Sequence, residues 1–238
     1  SEMCIRDRLK EILGTSESTI RRDIIALDKE GRLTKVFGGA IALHQAQIVN
    51  KELSVVQKQE LQTVEKQAIA KYAASLIEPD DCVYLDAGTT TGWMIEYIRE
   101  EKATYVTNAL SHAKRLADKG FCVILIGGEP KSSTDAIVGA EAVLNLQKYH
   151  FSKGFFGVNG VDRTSGFTTP DAREAMVKQV AVKNTQPAHR YFLTTASKFG
   201  EVYAVTFAGF ESGVILTEDN VSEVLPKSIE VVKVNEQN

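Results

Sequence analysis

Apolar residues after Pro79 follow two patterns that alternate along the chain. Short continuous apolar runs predict buried strands, and stretches with apolar residues three and four positions apart predict amphipathic helices. The predicted strands are 82–86, 103–107, 121–126, 151–158, 190–195, 213–217 and 229–234. The predicted helices are 92–101, 110–119, 140–149, 170–183 and 221–225. Strands and helices that alternate in this way predict an α/β fold with a mainly parallel sheet.

A longer amphipathic pattern precedes this region and predicts one helix over 53–77, which Pro79 ends. Polar residues before that helix predict a linker. We therefore expect a small N-terminal domain over 1–44, a linker over 45–52 and a larger domain over 53–238.

Composition and charge exclude several classes of protein. The chain has 43% apolar residues and 25% charged residues, which is ordinary for a globular protein. Its net charge of −3 argues against a nucleic-acid-binding protein that is basic over its whole surface, but it does not exclude a small DNA-binding domain. No apolar run is long enough to cross a membrane and the first residues do not resemble a signal peptide, so we expect a cytoplasmic protein with no membrane partner. Cys82 and Cys122 lie in strand-like runs and are expected to be reduced core thiols. No metal-binding or serine-nucleophile motif occurs, so neither a metal nor a cofactor is predicted.

The stretch VYLDAGTTTGWM, from Val83 to Met94, predicts a strand, a tight turn and the start of a helix. Such a turn directs backbone N–H groups and hydroxyls to one point, with the positive end of the helix dipole behind them. It is therefore a candidate anion site, and phosphate is the anion we expect there. The candidate phosphate ligands are Gly88, Thr89, Thr90 and Thr91. Asp86 would repel a phosphate and is expected to accept hydrogen bonds from the hydroxyl groups of a sugar instead.

Polar residues or glycines follow several other predicted strands. Each pair alone is more often ordinary turn chemistry than part of a binding site. Because ligands of open parallel sheets bind at the carboxyl ends of strands, their repeated occurrence there favours one shared site. The candidate ligand-binding residues from these positions are Thr107, Asn108, Gly128, Asn159 and Gly160.

A second strong helix start is predicted with Thr169 as N-cap and Pro170 in the first helical position. The helix would place Glu174 and Lys178 four residues apart. This spacing predicts either an exposed ion pair or, alternatively, a lysine that reaches the phosphate or a sugar oxygen. Lys198 follows a later strand and is a candidate for a second cation at the same ligand.

The N-terminal stretch from Leu13 to Ala40 predicts a glycine turn, a helix and a β-hairpin after a short first helix. Ser16 would cap the second helix, whose buried stripe is Ile20, Ile24 and Leu27. The opposite face of that helix presents hydroxyl groups and arginines, which suit DNA phosphates and base edges. Acidic and basic residues are nearly balanced in this domain, so on spacing alone an ordinary surface helix is an equal alternative.

The sequence SESTIRRDIIALDKEGRLTKVFGGA resembles, almost residue for residue, the winged helix-turn-helix of the DeoR/GlpR family of bacterial transcriptional repressors. The resemblance implies that a recognition helix around Ser18 to Arg22 and a wing around Lys35 to Gly39 contact DNA. The implied DNA-binding residues are Thr15, Ser16, Ser18, Thr19, Arg21, Arg22, Lys35 and Gly38. Members of the family usually carry a further helix before Leu9. We therefore expect an incomplete domain in which the stripe of the second helix is partly exposed.

The resemblance continues through the linker helix, VEKQAIAKYAASLI, and the blocks DAGTTT, VTNAL, IGGE, TPDAREAMVK and SKFG. It implies a partial winged helix-turn-helix followed by a Rossmann-like, ribose-5-phosphate-isomerase-like effector domain with a mainly parallel sheet. The implied protein is a repressor of a sugar-metabolism operon that leaves its operator DNA when a phosphorylated sugar binds. Fructose-1-phosphate is the first candidate effector, and a homodimer or homotetramer is the expected assembly. Two positions depart from the family pattern, with Lys58 where Arg is commoner and Thr195 where Asp is frequent.

A sugar-phosphate isomerase or deaminase on the same fold is the alternative function. Such an enzyme would need a general base near the sugar carbon, and Glu174 and Asp86 are the only evident candidates. The four histidines fall in no catalytic arrangement. Because the helix-turn-helix match is long and specific, we expect a DNA-binding regulator and not an enzyme.

Overall fold

The structure, a computed structural model, describes residues 14–29, 33–36, 39–42, 47–48, 61–219 and 230–234. Contacts divide the chain into two compact units, Ser1–Gln45 and Ala46–Asn238. The helix predicted at 221–225 and the short helix predicted before the glycine turn lie outside the described residues.

The N-terminal unit contains a helix and a hairpin in the predicted order. Helix α1 spans Glu17–Lys29, and the antiparallel strands β1 and β2 span Leu33–Val36 and Gly39–Ala42. The Ser16 hydroxyl accepts a hydrogen bond from the Thr19 amide at 3.2 Å, as the predicted helix cap requires.

The apolar stripe of α1 is better covered than the sequence suggested. Ile20 and Ile24 are buried, with 3% and 7% of their surface exposed, and Leu27 is half-buried. The expectation of a partly exposed stripe was therefore wrong for the two isoleucines. One reason is that, within the described residues, α1 packs against β1.

The second unit alternates strands and helices along its length. Its helices are α2 (Thr63–Ser75), α3 (Thr89–Tyr97), α4 (Leu110–Asp118), α5 (Ala140–Leu146) and α6 (Ala172–Lys183). Its strands are β3 (Gln47–Ile48), β4 (Cys82–Leu85), β5 (Thr104–Thr107), β6 (Cys122–Leu125), β7 (Glu129–Lys131), β8 (Ala136–Val138), β9 (Lys153–Gly157), β10 (Gly160–Asp162), β11 (Gly166–Thr169), β12 (Arg190–Leu193), β13 (Glu201–Val202), β14 (Val205–Ala208), β15 (Val214–Thr217) and β16 (Val231–Lys233). No helix of the described residues is long and apolar enough to cross a membrane.

Seven strands form the central sheet in the order β16-β15-β12-β9-β4-β5-β6. Every neighbouring pair in this sheet is parallel. The predicted α/β fold with a mainly parallel sheet is therefore confirmed. Each strand lies within a predicted apolar run. For the central strands β4 and β9 the reason is that a strand covered on both faces needs apolar residues at consecutive positions.

Successive residues of the strands face two separate cores. Tyr84 and Phe156 pack with apolar residues of α6 on one face of the sheet. Their chain neighbours Leu85 and Phe155 pack with α2 and α3 on the other face. This alternation follows from the two-residue period of a β-strand, and it leaves the ends of the strands free to form a site.

Small antiparallel elements were not predicted from the sequence. Strands β10, β11 and β14 form one small sheet, and β7 and β8 form a hairpin. Most of these strands combine threonines, glycines and charged residues, and the apolar run of β8 is only three residues long, so they lack the longer apolar runs by which the central strands were recognised. Strand β3 lies within the predicted linker and pairs in parallel with β13.

Two predicted helices have different bounds in the structure. The helix predicted at 92–101 is α3, which begins at Thr89 because the threonines of the turn form its first residues. The helix predicted at 53–77 is α2, which begins at Thr63 among the described residues because Gln62 before it has a left-handed backbone conformation.

The N-cap residue predicted for helix α6 was wrong. Asp171, and not Thr169, is the N-cap residue, and its carboxylate accepts hydrogen bonds from the amides of Arg173 and Glu174. Thr169 instead belongs to β11. A carboxylate can accept from two helix amides at once, which explains why the aspartate takes this place.

Strand β6 is an edge of the sheet, and its side chains are less covered than expected. Cys122 on this strand is exposed and Cys82 on β4 is half-buried, and both are free thiols. The expectation of a core thiol was therefore wrong for Cys122, because an edge strand has a neighbouring strand on one side only.

Candidate functional site

The main cavity lies at the carboxyl ends of β4 and β9, which are neighbours in the sheet. From β4 the strand order continues to β5 and β6 on one side, and from β9 it continues to β12 and β15 on the other. This is the point where the order of the sheet changes direction, and open α/β sheets bind their ligands at such points. The main cavity is lined by Asp86, Ala87, Gly88, Thr89, Thr90, Asn108, Thr134, Ala136, Gly157, Val158, Asn159, Glu174, Lys178 and Lys198. Most predicted ligand-binding residues thus share one cavity, but Thr91, Thr107, Gly128 and Gly160 do not line it.

Asp86 is buried and accepts hydrogen bonds from four donors of the protein. One carboxylate oxygen, Oδ1, accepts from the Gly88 amide at 2.9 Å and the Thr91 hydroxyl at 2.8 Å. The other, Oδ2, accepts from the Gly157 amide at 2.8 Å and from the ammonium group of Lys178. Asp86 therefore ties the turn after β4 to the end of β9. Its predicted contact with sugar hydroxyls stays a prediction.

Lys178 reaches the cavity from α6. Its ammonium group forms an ion pair with Asp86, donates to the Gly157 carbonyl at 2.9 Å and lies 5.2 Å from the centre of the Phe207 ring. The exposed ion pair with Glu174 that the spacing suggested does not form, so that interpretation was wrong. The alternative, a lysine at the cavity, matches the position of the side chain.

Glu174 belongs to a second group of charges at the edge of the cavity. Its carboxylate accepts from the Lys131 ammonium at 3.1 Å and from the Thr134 hydroxyl at 2.5 Å. Lys131 also pairs with Asp171 at 3.0 Å. Burial raises the pKa of Asp171, but Lys131 and the amides at the start of α6 outweigh burial and lower it overall. These contacts hold the β7–β8 hairpin against the start of α6 at the edge of the cavity.

The three threonines of the turn have different surroundings. Thr89 and Thr90 line the cavity in the first turn of α3, where backbone amides have no carbonyl partner within the helix. Thr91 is fully buried, and its hydroxyl lies 2.8 Å from both the Asp86 carboxylate and the Gly88 carbonyl. Thr91 therefore stabilises the turn and does not face the cavity.

Asn108 and Thr107 hold the end of β5 in place. The Asn108 side chain accepts a hydrogen bond from the Tyr84 hydroxyl at 3.0 Å and donates to the Ile137 carbonyl at 3.2 Å. Burial raises the pKa of Tyr84 well above its usual range, so the hydroxyl is a neutral donor. The Thr107 hydroxyl accepts from the Ala109 amide at 3.1 Å and is fully buried. Asn108 lines the cavity, whereas Thr107 shapes the loop beneath it.

Gly128 and Gly160 allow close packing of the backbone beside the cavity. Gly128 has a φ of +144°, and a Cβ there would lie 2.7 Å from the Val138 carbonyl oxygen. A Cβ on Gly160 would lie 2.3 Å from the Glu201 carbonyl oxygen, on strand β13. Neither glycine lines the main cavity, so the structure gives them a packing role.

Four cavity residues outside the predicted turn were missed by the sequence prediction. Gly157 and Val158 directly precede the predicted Asn159, and the Val158 carbonyl accepts from the Lys198 ammonium at 2.5 Å. Extending the strand-end argument by two residues would have found them. Thr134 and Ala136 reach the cavity from the β7–β8 hairpin, and no local pattern indicated that hairpin.

The predicted DNA-binding residues of α1 form one exposed surface. Ser16, Ser18, Arg21 and Arg22 line a shallow groove, and the Ser16 hydroxyl lies 2.8 Å from that of Ser18 and 2.9 Å from that of Thr19. Arg21 is 3.8 Å from Glu17, and both side chains are exposed. Thr15 is half-buried, Lys35 belongs to β1, and Gly38 lies outside the described residues.

Comparisons with known families decide the class of protein. The DeoR C-terminal sensor domain matches residues 61–220, and the DeoR-like helix-turn-helix domain matches residues 3–46. The chain belongs to the DeoR family of transcriptional regulators. This confirms the family predicted from the resemblance.

Curated relatives agree with this membership. The HTH-type transcriptional regulator FruR of Bacillus subtilis is 42% identical over 212 residues, which cover 89% of this chain and 82% of the relative. The lactose phosphotransferase system repressor of Staphylococcus aureus is 38% identical over 82% of this chain and 77% of its own length. The regulator IolR of Bacillus subtilis is 33% identical over 86% of this chain and 80% of its own length.

Solved structures with a related arrangement include enzymes. Ribose-5-phosphate isomerase A from Neisseria gonorrhoeae matches with a TM-score of 0.41 and 13% identity, over 56% of this chain and 52% of the enzyme. The curated relatives that this DeoR regulator matches over most of their length are transcriptional regulators. It is therefore a transcriptional repressor with a sensor domain, and the enzyme alternative is set aside.

Proposed function

We propose that the main cavity binds the phosphate of a small phosphorylated sugar, and that binding releases the repressor from the operator of a sugar-metabolism operon. The observation that carries this proposal is the turn at Gly88, where Thr89 and Thr90 in the first turn of α3 line a cavity that Lys198 also lines. Amides at a helix start and a nearby ammonium group suit a phosphate. The family supplies the DNA-binding half of the proposal.

Calorimetry on the full chain tests the ligand. A panel of phosphosugars that begins with fructose-1-phosphate should include at least one that binds with micromolar to millimolar affinity, while the same free sugars bind far more weakly. The reason is that most of the affinity would come from charge-assisted hydrogen bonds to the phosphate. Equal affinity for a sugar and its phosphate would contradict the proposal.

A route from the cavity to the linker supports the regulatory step. Gln62, just before α2, exchanges hydrogen bonds of 2.9 Å with the Thr195 and Ser197 hydroxyls, beside Lys198. Strand β3 of the linker pairs with β13, which begins at Glu201. Helix α2 also packs against α3, whose first turn lines the cavity. A ligand that moves these elements can therefore alter the segment that leads to the DNA-binding unit.

Gln62→Ala is expected to uncouple the ligand from the DNA. The change removes the hydrogen bonds to the 195–197 turn but leaves the cavity lining intact, so the affinity for the ligand should stay within about twofold. The coupling free energy between ligand binding and DNA binding should fall by about 1 kcal/mol. Fluorescence anisotropy of operator DNA with and without phosphosugar measures the coupling. The control is Gln67→Ala, which makes the same chemical change further along α2. A variant that releases DNA as fully as the wild type would rule out this route.

Arg22→Ala is expected to weaken operator binding by about 1–3 kcal/mol, because an exposed arginine on the recognition helix can bind a base edge. Lys35→Ala should instead weaken binding to all sequences and flatten the salt dependence. Arg163→Ala removes the same charge from an exposed position of the sensor domain and serves as the control. Unchanged operator affinity in the Arg22 variant would contradict its assignment.

The expected dimer or tetramer stays a prediction. Leu61 and Val64, at the start of the linker helix, are 51% and 61% exposed. This part of the predicted apolar stripe is therefore not covered by the described part of its own chain, which favours a partner there.

A further inference from the structure

A second cavity, here called the side cavity, adjoins the main cavity between α3 and α4. The two cavities share the turn 87–89 and Thr134 in their linings. The side cavity continues from that turn to Trp93, His112 and Arg115. None of these three residues was predicted to bind a ligand.

The sizes of the two cavities suit different parts of one ligand. The main cavity has a volume of about 50 Å³ and the side cavity about 370 Å³. The side cavity is therefore the larger of the two. A phosphate is the smaller part of a phosphosugar and the sugar is the larger part, so the sugar suits the larger of the two adjoining cavities.

His112 supplies an unused polar group at the side cavity. The imidazole is buried, with 6% of its surface exposed, and its Nδ1 has no hydrogen-bond partner. A buried polar nitrogen without a partner costs free energy, and a rotation of the ring that brought Nδ1 to the side cavity would let a ligand recover it. Burial lowers the pKa of His112 to about 4, although Asp86 raises it in part. The ring is therefore neutral near pH 7 and suits a hydroxyl group better than an anion.

The position of His112 depends on a glycine of α3. A Cβ on Gly92 would lie 2.8 Å from Nε2 of His112 and 3.5 Å from a guanidinium nitrogen of Arg115. Because Gly92 has no side chain, the imidazole can lie against the helix backbone beside the cavity. Gly92 thus leaves space for the imidazole of His112 beside α3, the helix whose first turn forms part of the proposed phosphate site.

The remaining charges of the side cavity are mixed. Arg115 is paired with Glu96 at 2.8 Å, and Asp135, also in the lining, accepts a hydrogen bond from the Ser111 amide at 2.7 Å. A wall with one basic and one acidic residue does not favour a second phosphate. A sugar, which carries several hydroxyl groups, fits this wall better.

We infer that the body of the phosphosugar lies in the side cavity, where His112 exchanges a hydrogen bond with one of its hydroxyl groups and so determines which sugar is recognised. This inference rests on the proposed phosphate site in the main cavity. It adds the position of the sugar and a specificity-determining residue.

Trp93 offers a direct test because it is the only tryptophan of the chain. A phosphosugar that binds in calorimetry should change the tryptophan emission of the full chain, because its body would lie against the indole. Inorganic phosphate should bind more weakly and leave the emission unchanged, since it would occupy the main cavity alone. Calorimetric binding of a phosphosugar with no change in emission would overturn the inference while leaving the phosphate site intact.

His112→Phe tests the hydrogen bond. It keeps a buried ring but removes both nitrogens, so the preferred phosphosugar should bind about tenfold more weakly while inorganic phosphate binds as before. Discrimination between sugars that differ at one hydroxyl should fall by a similar factor. His150→Phe, at an exposed position outside both cavities, is the control. An unchanged preference in the His112 variant would overturn the inference.

Gly92→Ala provides a second variant in case His112→Phe does not fold. The added methyl group displaces the imidazole without touching the Gly88 turn, so it should weaken phosphosugar binding and spare inorganic phosphate. Equal losses for both ligands would place the sugar elsewhere. If the wild-type protein binds inorganic phosphate but prefers no phosphosugar, the proposed function fails together with this inference.

Discussion

Replacing Asp86 with alanine is expected to lower the free energy of unfolding by about 3–5 kcal/mol. The carboxylate is 1% exposed and is the ion-pair partner of Lys178, whose side chain is 10% exposed. Without it, the buried ammonium group keeps the Gly157 carbonyl and the Phe207 ring but has no anionic partner, and the amides of Gly88 and Gly157 lose their acceptor. Leaving a buried charge unpaired costs far more than losing an exposed pair.

Urea denaturation of the full chain measures this loss. Asp86→Ala combined with Lys178→Met should be less destabilised than Asp86→Ala alone, because the second change removes the unpaired charge. A loss below about 1 kcal/mol in the single variant would mean that Asp86 is not the centre of this network.

Replacing Gly88 with valine is expected to abolish phosphosugar binding. A Cβ at this position would lie 2.9 Å from Oδ1 of Asp86, 3.1 Å from the Thr91 hydroxyl and 3.3 Å from Cα of Gly157. The added side chain therefore points into the protein and displaces the whole turn, including the amides that would hold the phosphate. The substitution therefore acts by distorting the turn, and not only by occupying the space of the phosphate.

The matched control for this variant is Gly209→Val. Gly209 has ordinary space around its Cβ position, with Ser212 Oγ at 3.7 Å as the nearest neighbour. Calorimetry with the preferred phosphosugar measures binding, and thermal unfolding shows that each variant is folded. A folded Gly88 variant that binds as tightly as the wild type would exclude this turn as the phosphate site.

Much of the fold was predictable because the information is local. A strand buried on both faces must be apolar at consecutive positions, as at Val83–Leu85, and a helix start after a tight turn has its own residue pattern. The carboxyl ends of parallel strands then meet at one edge by geometry. The residue pattern alone therefore predicts a ligand site at the turn around Gly88.

The partners of the site residues could not be predicted in the same way. Asp86 and Lys178 are 92 residues apart in the chain, and only the packing of α6 beside β9 brings them together. Local spacing instead paired Lys178 with Glu174, which binds Lys131 of the hairpin. His112 lies in an ordinary amphipathic helix, and its importance depends on a cavity that sequence periodicity does not describe.

Operator affinity with and without phosphosugar is the most direct test of the proposed regulation. Fluorescence anisotropy of labelled operator DNA would be measured on the full chain, in the absence of ligand and with the preferred phosphosugar at saturation. We predict at least a tenfold loss of affinity with the phosphosugar, which requires about 1.4 kcal/mol of preference for the conformation that binds DNA poorly. The free sugar should have no effect at the same concentration. Operator affinity that stays the same at saturating phosphosugar would contradict the proposed regulation.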